Sequence, residues 1–305
     1  MPVAFISHPD CLLHDMGQWH PESPARLHAI SDQLIASGLD LSLRHYEAPL
    51  ASREQLCLAH SATYVDEVFA TAPQHGMRML DMDTSMNPHS LRAARRAAGA
   101  GILAVDLIQQ GKIDAAFCSV RPPGHHAEHD RAMGFCIFNN VAVAAAYALS
   151  QYQLERMAIV DFDVHHGNGT EDIFQNEPRV LFCSSFQHPF YPHCGAETQN
   201  PHIVNVPLAA GSKGDEFRAA VSQHWLPALH AHRPQLVLVS AGFDAHREDD
   251  MAGLGLVEDD YAWVTSQIHE LAQEYSHGHI VSMLEGGYAL SALGRSVVAH
   301  IKALL

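Results

Sequence analysis

Two carboxylates and two imidazoles fall close together in Asp161-Phe162-Asp163-Val164-His165-His166. They follow an apolar run, Met157 to Val160, that reads as a β-strand. Side chains alternate between the two faces of a strand, so Asp161, Asp163 and His165 share one side as the chain runs out into a loop. Such a grouping suits a cation better than a core. Asp244, in Ala241-Gly242-Phe243-Asp244-Ala245-His246, would alone read better as a helix N-cap than as a ligand. Taken with Asp163 and His165 it completes three protein ligands and an open position, the donor set of a catalytic zinc. The same oxygen-rich set suits Fe(II), Mn(II) or Co(II).

Two further segments carry chemistry. Arg121-Pro122-Pro123-Gly124-His125-His126-Ala127-Glu128-His129 is an irregular loop stiffened by its prolines. His125 and His129 have the spacing of a helical metal pair, but the prolines and Gly124 argue against a helix. We read His125 and His126 as acid/base groups, because water beside a metal needs a base and a leaving amine needs an acid. In Glu285-Gly286-Gly287-Tyr288, the glycine pair would let Tyr288 place its hydroxyl over a pocket and hold a developing oxyanion.

Elements that could position these groups follow from the apolar pattern. Strands are predicted at Val3–Ser7, Ile113–Val120, Met157–Asp163, Arg179–Ser184, Ile203–Pro207, Gln235–Ser240 and Ile280–Leu284. Helices are predicted at Ala25–Ser37, with Leu27, Ile30, Leu34 and Ile35 on one face, and at Ser61–Ala70, with Ser61 as N-cap. Further helices are predicted at Ser90–Gln110, Asn139–Ser150, Gly169–Gln175, Gly214–Ala231, Glu258–Tyr275 and Leu290–Leu305. Arg92, Arg95 and Arg96 read as a solvated face. Strands alternating with helices imply an α/β fold whose mainly parallel sheet is covered on both faces. Ligands of such sheets bind beyond the carboxyl ends of the strands. All four polar segments directly follow a strand.

Composition narrows the class. The chain has 305 residues, which we read as one domain spanning 1–305. No apolar run is long enough to span a membrane, the N-terminus does not look like a signal peptide, and we expect a cytoplasmic protein. None of the six cysteines forms a C-x-x-C pair, which argues against a thiolate zinc site. A formal net charge of -16 argues against nucleic acid as a direct partner.

The segments RPPGHHAEHDRAMGFCIFNNVAVAA (121–145), DFDVHHGNGT (161–170), AGFDAH (241–246) and EGGY (285–288), with the early HPESPARL (20–27), resemble the zinc-dependent histone deacetylase family. That family includes bacterial histone deacetylase-like amidohydrolases and acetylpolyamine amidohydrolases. Asn168 in place of an aspartate is similar to the class II branch. The resemblance implies the arginase/deacetylase fold, with a central eight-stranded parallel sheet. It implies hydrolysis of acylated amines, with Asp163, His165 and Asp244 holding zinc, or Fe(II) in the cell. His126 would be the general base, with His125 beside it holding or donating a proton. Asp161 would orient His125, Asn168 would contact His126, and Tyr288 would hydrogen-bond the acyl carbonyl. The resemblance further implies that Phe135 and Tyr191 line a narrow channel and that Gly134 offers its carbonyl to the substrate. Arg26 would lie beneath the site. A structural potassium ion would be held by Asp161, Asp163, His165, Ser184 and Ser185.

Three alternatives remain at this stage. The substrate could be an acetylated polyamine rather than acyl-lysine, in which case carboxylates such as Glu248, Asp249 and Asp250 would bind the distal ammonium, although an exposed acidic turn is the plainer reading. Met251 stands roughly where a polyamine-selective branch carries a glutamate, which weakens that case. A protein that binds acylated ligands without turning them over would be expected to lack the phenol or a ligand, and this chain has both. An arginase-like two-metal enzyme would need more Asp and His ligands. Sequence leaves oligomeric state open.

Overall fold

The computed structural model describes residues 3–305. Eight strands form one parallel sheet: β1 (Val3–Ser7), β2 (Arg44–Glu47), β3 (Ala115–Cys118), β4 (Met157–Asp161), β5 (Val180–Gln187), β6 (Ile203–Leu208), β7 (Leu236–Ala241) and β8 (Ile280–Leu284). Their order across the sheet is β2-β1-β3-β8-β7-β4-β5-β6. Every residue of β3, β4, β7 and β8 is buried, as expected when helices cover both faces of a parallel sheet. Ala25–Ala36, Glu258–Ser276 and Leu290–Leu304 pack together, and Ser90–Gln109 packs with Asn140–Gln151. A short antiparallel ribbon, Arg78–Met79 with Ser85–Met86, lies before the helix Ser90–Gln109.

Register explains why the polar segments meet. Asp161 pairs with Ser184 on one side and Ser240 on the other. Leu284 pairs with Ala241, and Met283 with Cys118. The central strands therefore end at one level, and the next few residues of each chain segment face the same space. β4 ends at Asp161, two residues before the predicted end, so Asp163 and His165 sit in the turn beyond it rather than on an alternating strand face.

Some sequence expectations need correction. Ile35 is 66% exposed, and the buried face of its helix is made by Arg26, Leu27, Ile30 and Leu34. Of the arginines on Ser90–Gln109, Arg92 is exposed as expected, whereas Arg95 and Arg96 are half-buried anchors. Arg92 and Arg96 both donate to Asp10, while Arg95 and Arg96 also donate to the carbonyls of Ala51 and Ala48. Arg95 and Arg96 reach backbone carbonyls on a distant segment, which a charge pattern cannot reveal. Ser61 caps its helix as expected, accepting from Tyr64 N.

Candidate active site

Asp163, His165 and Asp244 come together at the rim, with donor atoms within 4.8 Å of one another and all three side chains buried. The turn after β4 supplies the first two and the turn after β7 the third. Backbone N–H groups hold each carboxylate: Asp163 accepts from Gly286 N at 2.8 Å, and Asp244 from Val164 N at 2.9 Å. The second oxygen of Asp244 is buried with no hydrogen-bond partner and lies 3.3 Å from His165 Nδ1. Burial, then the charge on Asp163, pushes the Asp244 carboxyl up to about 6. Burial opposes a charge on His165, but the neighbouring carboxylates of Asp163 and Asp244 prevail and push the imidazole up to about 10. Two carboxylates crowded on one imidazole out of water demand a positive charge between them. The orphaned Asp244 oxygen and this demand both fit a divalent cation.

His125 and His126 stand beside this cluster with ring centroids 4.0 Å apart. His125 Nδ1 pairs with Asp161 Oδ2 at 2.9 Å, and its Nε2 lies 3.8 Å from Asp163. Burial opposes the charge on His125, but Asp161 and Asp163 outweigh it and hold the ring well above the ordinary histidine range. His126 Nδ1 meets Asn168 Oδ1 at 2.7 Å. The Asn168 amide nitrogen donates to Glu128 Oε1 at 2.8 Å, so its oxygen faces the ring and takes the Nδ1–H. That leaves the Nε2 lone pair free. Burial, then the charges on His125 and His165, holds His126 well below the ordinary range. One ring is kept charged and its neighbour neutral.

Above these groups is a cavity of about 220 Å³ lined by His125, His126, His165, Tyr288 and the walls Gly134, Phe135, Phe190, Tyr191 and Met251. Gly134 is in the left-handed region (φ 58°), and a Cβ there would lie 2.3 Å from His126 Cδ2, so only glycine lets this wall close on the ring. The Gly134 carbonyl accepts from the Cys136 thiol at 3.2 Å. Phe135 meets the Tyr288 ring edge-on at 6.1 Å, and the Arg26 guanidinium lies over that ring, 5.0 Å from its centroid. Burial, then Asp244, pushes the Tyr288 phenol well above its ordinary range, so the hydroxyl remains a donor. Arg26 is buried and donates to the carbonyls of Glu285 and Gly287.

Asp161 stands outside the three-donor cluster, and His166 points away, packing on Phe186 at 4.6 Å with Nε2 2.9 Å from Glu171. Ser184 and Ser185 are buried next to Asp161, and Ser184 Oγ has no hydrogen-bond partner, an orphan that suits an alkali cation. His129 is exposed and lies in a loop, as the prolines implied. Asp249 does not face a substrate: it is buried and accepts from backbone N–H groups. Glu248 pairs with Arg295.

Sequence reasoning missed three participants. Phe190 stacks on the His165 ring at 5.5 Å, and its signal was the adjacent Tyr191 just beyond a strand. Asp83 lines the cavity and accepts from Gly134 N at 3.0 Å, with no local cue beyond two carboxylates in a loop. Glu285 accepts from Gly124 N at 2.6 Å and His125 N at 3.1 Å, so it fixes the backbone of the histidine pair. Burial pushes its carboxyl up to about 7.

Comparison with known proteins agrees with this geometry. A histone deacetylase-like amidohydrolase of Pseudomonas aeruginosa is 37% identical over 296 residues, covering 92% of this chain and 78% of its own length. A probable deacetylase of Methanothermobacter thermautotrophicus is 36% identical, covering 99% of this chain and 90% of its own. The crystal structure of the HDA15 HD domain superposes with a TM-score of 0.94 at 35% identity, over 99% of this chain and 88% of that one. A sequence profile of the histone deacetylase domain matches residues 20–304. With nearly the whole length matched, and the fold reproduced, the chain belongs to the histone deacetylase family.

Proposed function

We propose that the chain is a metal-dependent amidohydrolase that removes acetyl or other acyl groups from acyl-lysine side chains, with residues 1–305 as one catalytic domain. The observation that carries this reading is the opposite biasing of two touching imidazoles beside a three-donor cluster at the foot of an apolar channel. Asp163, His165 and Asp244 would hold zinc, which when bound supplies Lewis-acid polarisation of the amide carbonyl and lowers the pKa of water; Fe(II) suits the same donors. His126 Nε2 takes a proton from the attacking water. His125, kept charged by Asp161, sits beside the leaving nitrogen as its proton donor. The Tyr288 hydroxyl donates to the acyl oxygen as charge develops there.

Phe135 and Tyr191 flank the aliphatic chain, and the Gly134 carbonyl accepts from the substrate amide. Asp161, Asp163, His165, Ser184 and Ser185 would hold potassium, a role in keeping with the unpartnered Ser184 Oγ. Six free cysteines favour a reducing compartment, and we place the protein in the cytoplasm. No helix among the described residues is long and apolar enough to cross a membrane.

The test is to assay an acetyl-lysine peptide, N-acetylputrescine and N8-acetylspermidine side by side, before and after chelation and with Zn(II), Fe(II) or Co(II) restored. Activity should vanish with the metal and return with it, and the peptide should be turned over fastest. Peptide preference is expected because Asp249 is committed to backbone, Glu248 to Arg295, and Met251 is apolar. Faster turnover of the acetylpolyamines would move the assignment to small acylated amines. Full activity in the chelated protein, or in Tyr288→Phe, would sink the proposal.

A further inference from the structure

The acidic turn after Asp244 holds a carboxylate that faces inward. Asp249 is 5% exposed. Its Oδ2 accepts from Tyr288 N at 2.6 Å and from Ala289 N at 2.9 Å. Its Oδ1 accepts from Met251 N at 3.0 Å. Both Tyr288 and Met251 line the channel, so one carboxylate ties two of its walls together.

The turn that presents Tyr288 needs a hold from outside itself. Gly287, just before it, has φ 124°, a conformation open to glycine and strained for other residues. Ala289, just after it, is the N-cap of Leu290–Leu304 and brings no side-chain acceptor. Asp249 fills that gap from another loop, and its charge also faces the positive end of the helix. Among the described residues, no protein group accepts from or donates to the Tyr288 hydroxyl. Its direction is therefore set by the backbone turn and by the packing of Arg26 and Phe135 on the ring.

We infer that Asp249 is a positioning residue: by gathering the N–H groups of Tyr288, Ala289 and Met251 on one carboxylate, it aims the Tyr288 hydroxyl at the acyl oxygen. This rests on the reading of Tyr288 given above. A carboxylate is what the geometry asks for, since both of its oxygens accept. An amide has one accepting oxygen and would turn its NH₂ on either Met251 N or the Tyr288–Ala289 pair.

The test is a double-mutant cycle of Asp249→Asn and Tyr288→Phe on an acetyl-lysine peptide, with melting temperatures measured alongside. In the wild-type background, Asp249→Asn should lower kcat by about tenfold to a hundredfold, the scale of a displaced reacting group, and change KM far less. In the Tyr288→Phe background the same substitution should lower kcat by less than about twofold, because the interaction it aims is already gone. Hydrogen exchange over residues 286–292 should speed up in both backgrounds. The neighbouring, exposed Asp250→Asn should behave as wild type. If Asp249→Asn fails to fold, Asp249→Glu, which shifts the same oxygens by one methylene, carries the cycle. Equal losses in the two backgrounds, or wild-type kcat in the Asp249 variant, overturn the inference. A fully active Tyr288→Phe variant instead overturns the role of Tyr288, and it does so without any change at Asp249, so the two failures are distinct.

Discussion

His125 and His126 are adjacent in sequence and their rings nearly touch, yet they occupy two different pockets. The pocket of His125 is walled by charge: Asp161 at 2.9 Å and Asp163 at 3.8 Å. The pocket of His126 is walled by an amide, Asn168, and by two other imidazoles. Both rings are buried, and burial alone would push each toward neutrality. Only the carboxylates reverse that for His125. The difference teaches that neither ring's role comes from the residue type. It comes from the partner at Nδ1, a carboxylate for one and an amide for the other, and from a shared boundary across which the charge on one ring suppresses charge on the next. Environments that push two titratable groups apart mark an acid and a base.

The harshest test of this division removes the neutral ring. His126→Ala should lower kcat/KM by about 10²–10⁴-fold, the usual share of a positioned base, and His125→Ala should cost less. If the two losses are reversed in size, the division of roles is wrong. Next in size is Asp161→Asn, which keeps the shape of the His125 pocket but removes its nearest charge. We expect a loss of about tenfold to a hundredfold in kcat/KM. The sign on pH is fixed: His125 is raised well above the ordinary range chiefly by Asp161 against burial, so losing that charge lowers its pKa. If His125 must be protonated, the alkaline limb of the kcat/KM profile then moves to lower pH. A fall in rate with an unmoved alkaline limb would mean that Asp161 acts by some other route, such as the proposed potassium site near Ser184.

How much of this could be seen in the sequence depends on how local each signal is. The central strands are short apolar runs, and Val3–Ser7 and Ile280–Leu284 match the sequence reading residue for residue. β2 is Arg-His-Tyr-Glu on the sheet edge, with a mostly exposed pattern. Nothing in its composition marks a strand, and only pairing with β1 makes it one. In the site, the three donors and the two imidazoles were legible because each follows a strand and carries its own chemistry. Glu285 and Asp249 were not given their places, because their role is to satisfy backbone N–H groups more than thirty residues away. A carboxylate facing solvent and one facing a buried amide look the same in sequence. The same holds for Arg96, whose partners Asp10 and Ala48 lie on other segments.

The smallest effect at neutral pH, and the finest test of the comparison, comes from making the two pockets alike. Asn168→Asp would give His126 the kind of partner His125 already has. The His126 ring is held well below the ordinary range by burial and by its charged neighbours, so it is neutral and able to act as a base through the physiological range. A carboxylate at Nδ1 favours the imidazolium and raises that pKa. The fraction of active base then falls as pH drops through the new value. The acid limb of kcat/KM should move to higher pH, with a loss of about a few-fold near neutrality that disappears at high pH. Glu128 complicates the substitution, because it accepts from the Asn168 amide at 2.8 Å and would face the new carboxylate. Two carboxylates there raise each other's pKa and mute the effect, so Asn168→Asp with Glu128→Gln should move the acid limb further than Asn168→Asp alone. An acid limb that stays in place in both variants would show that the amide at residue 168 does not set the proton affinity of His126. The two rings would then owe their difference to the carboxylates around His125, Asp161 first and Asp163 next.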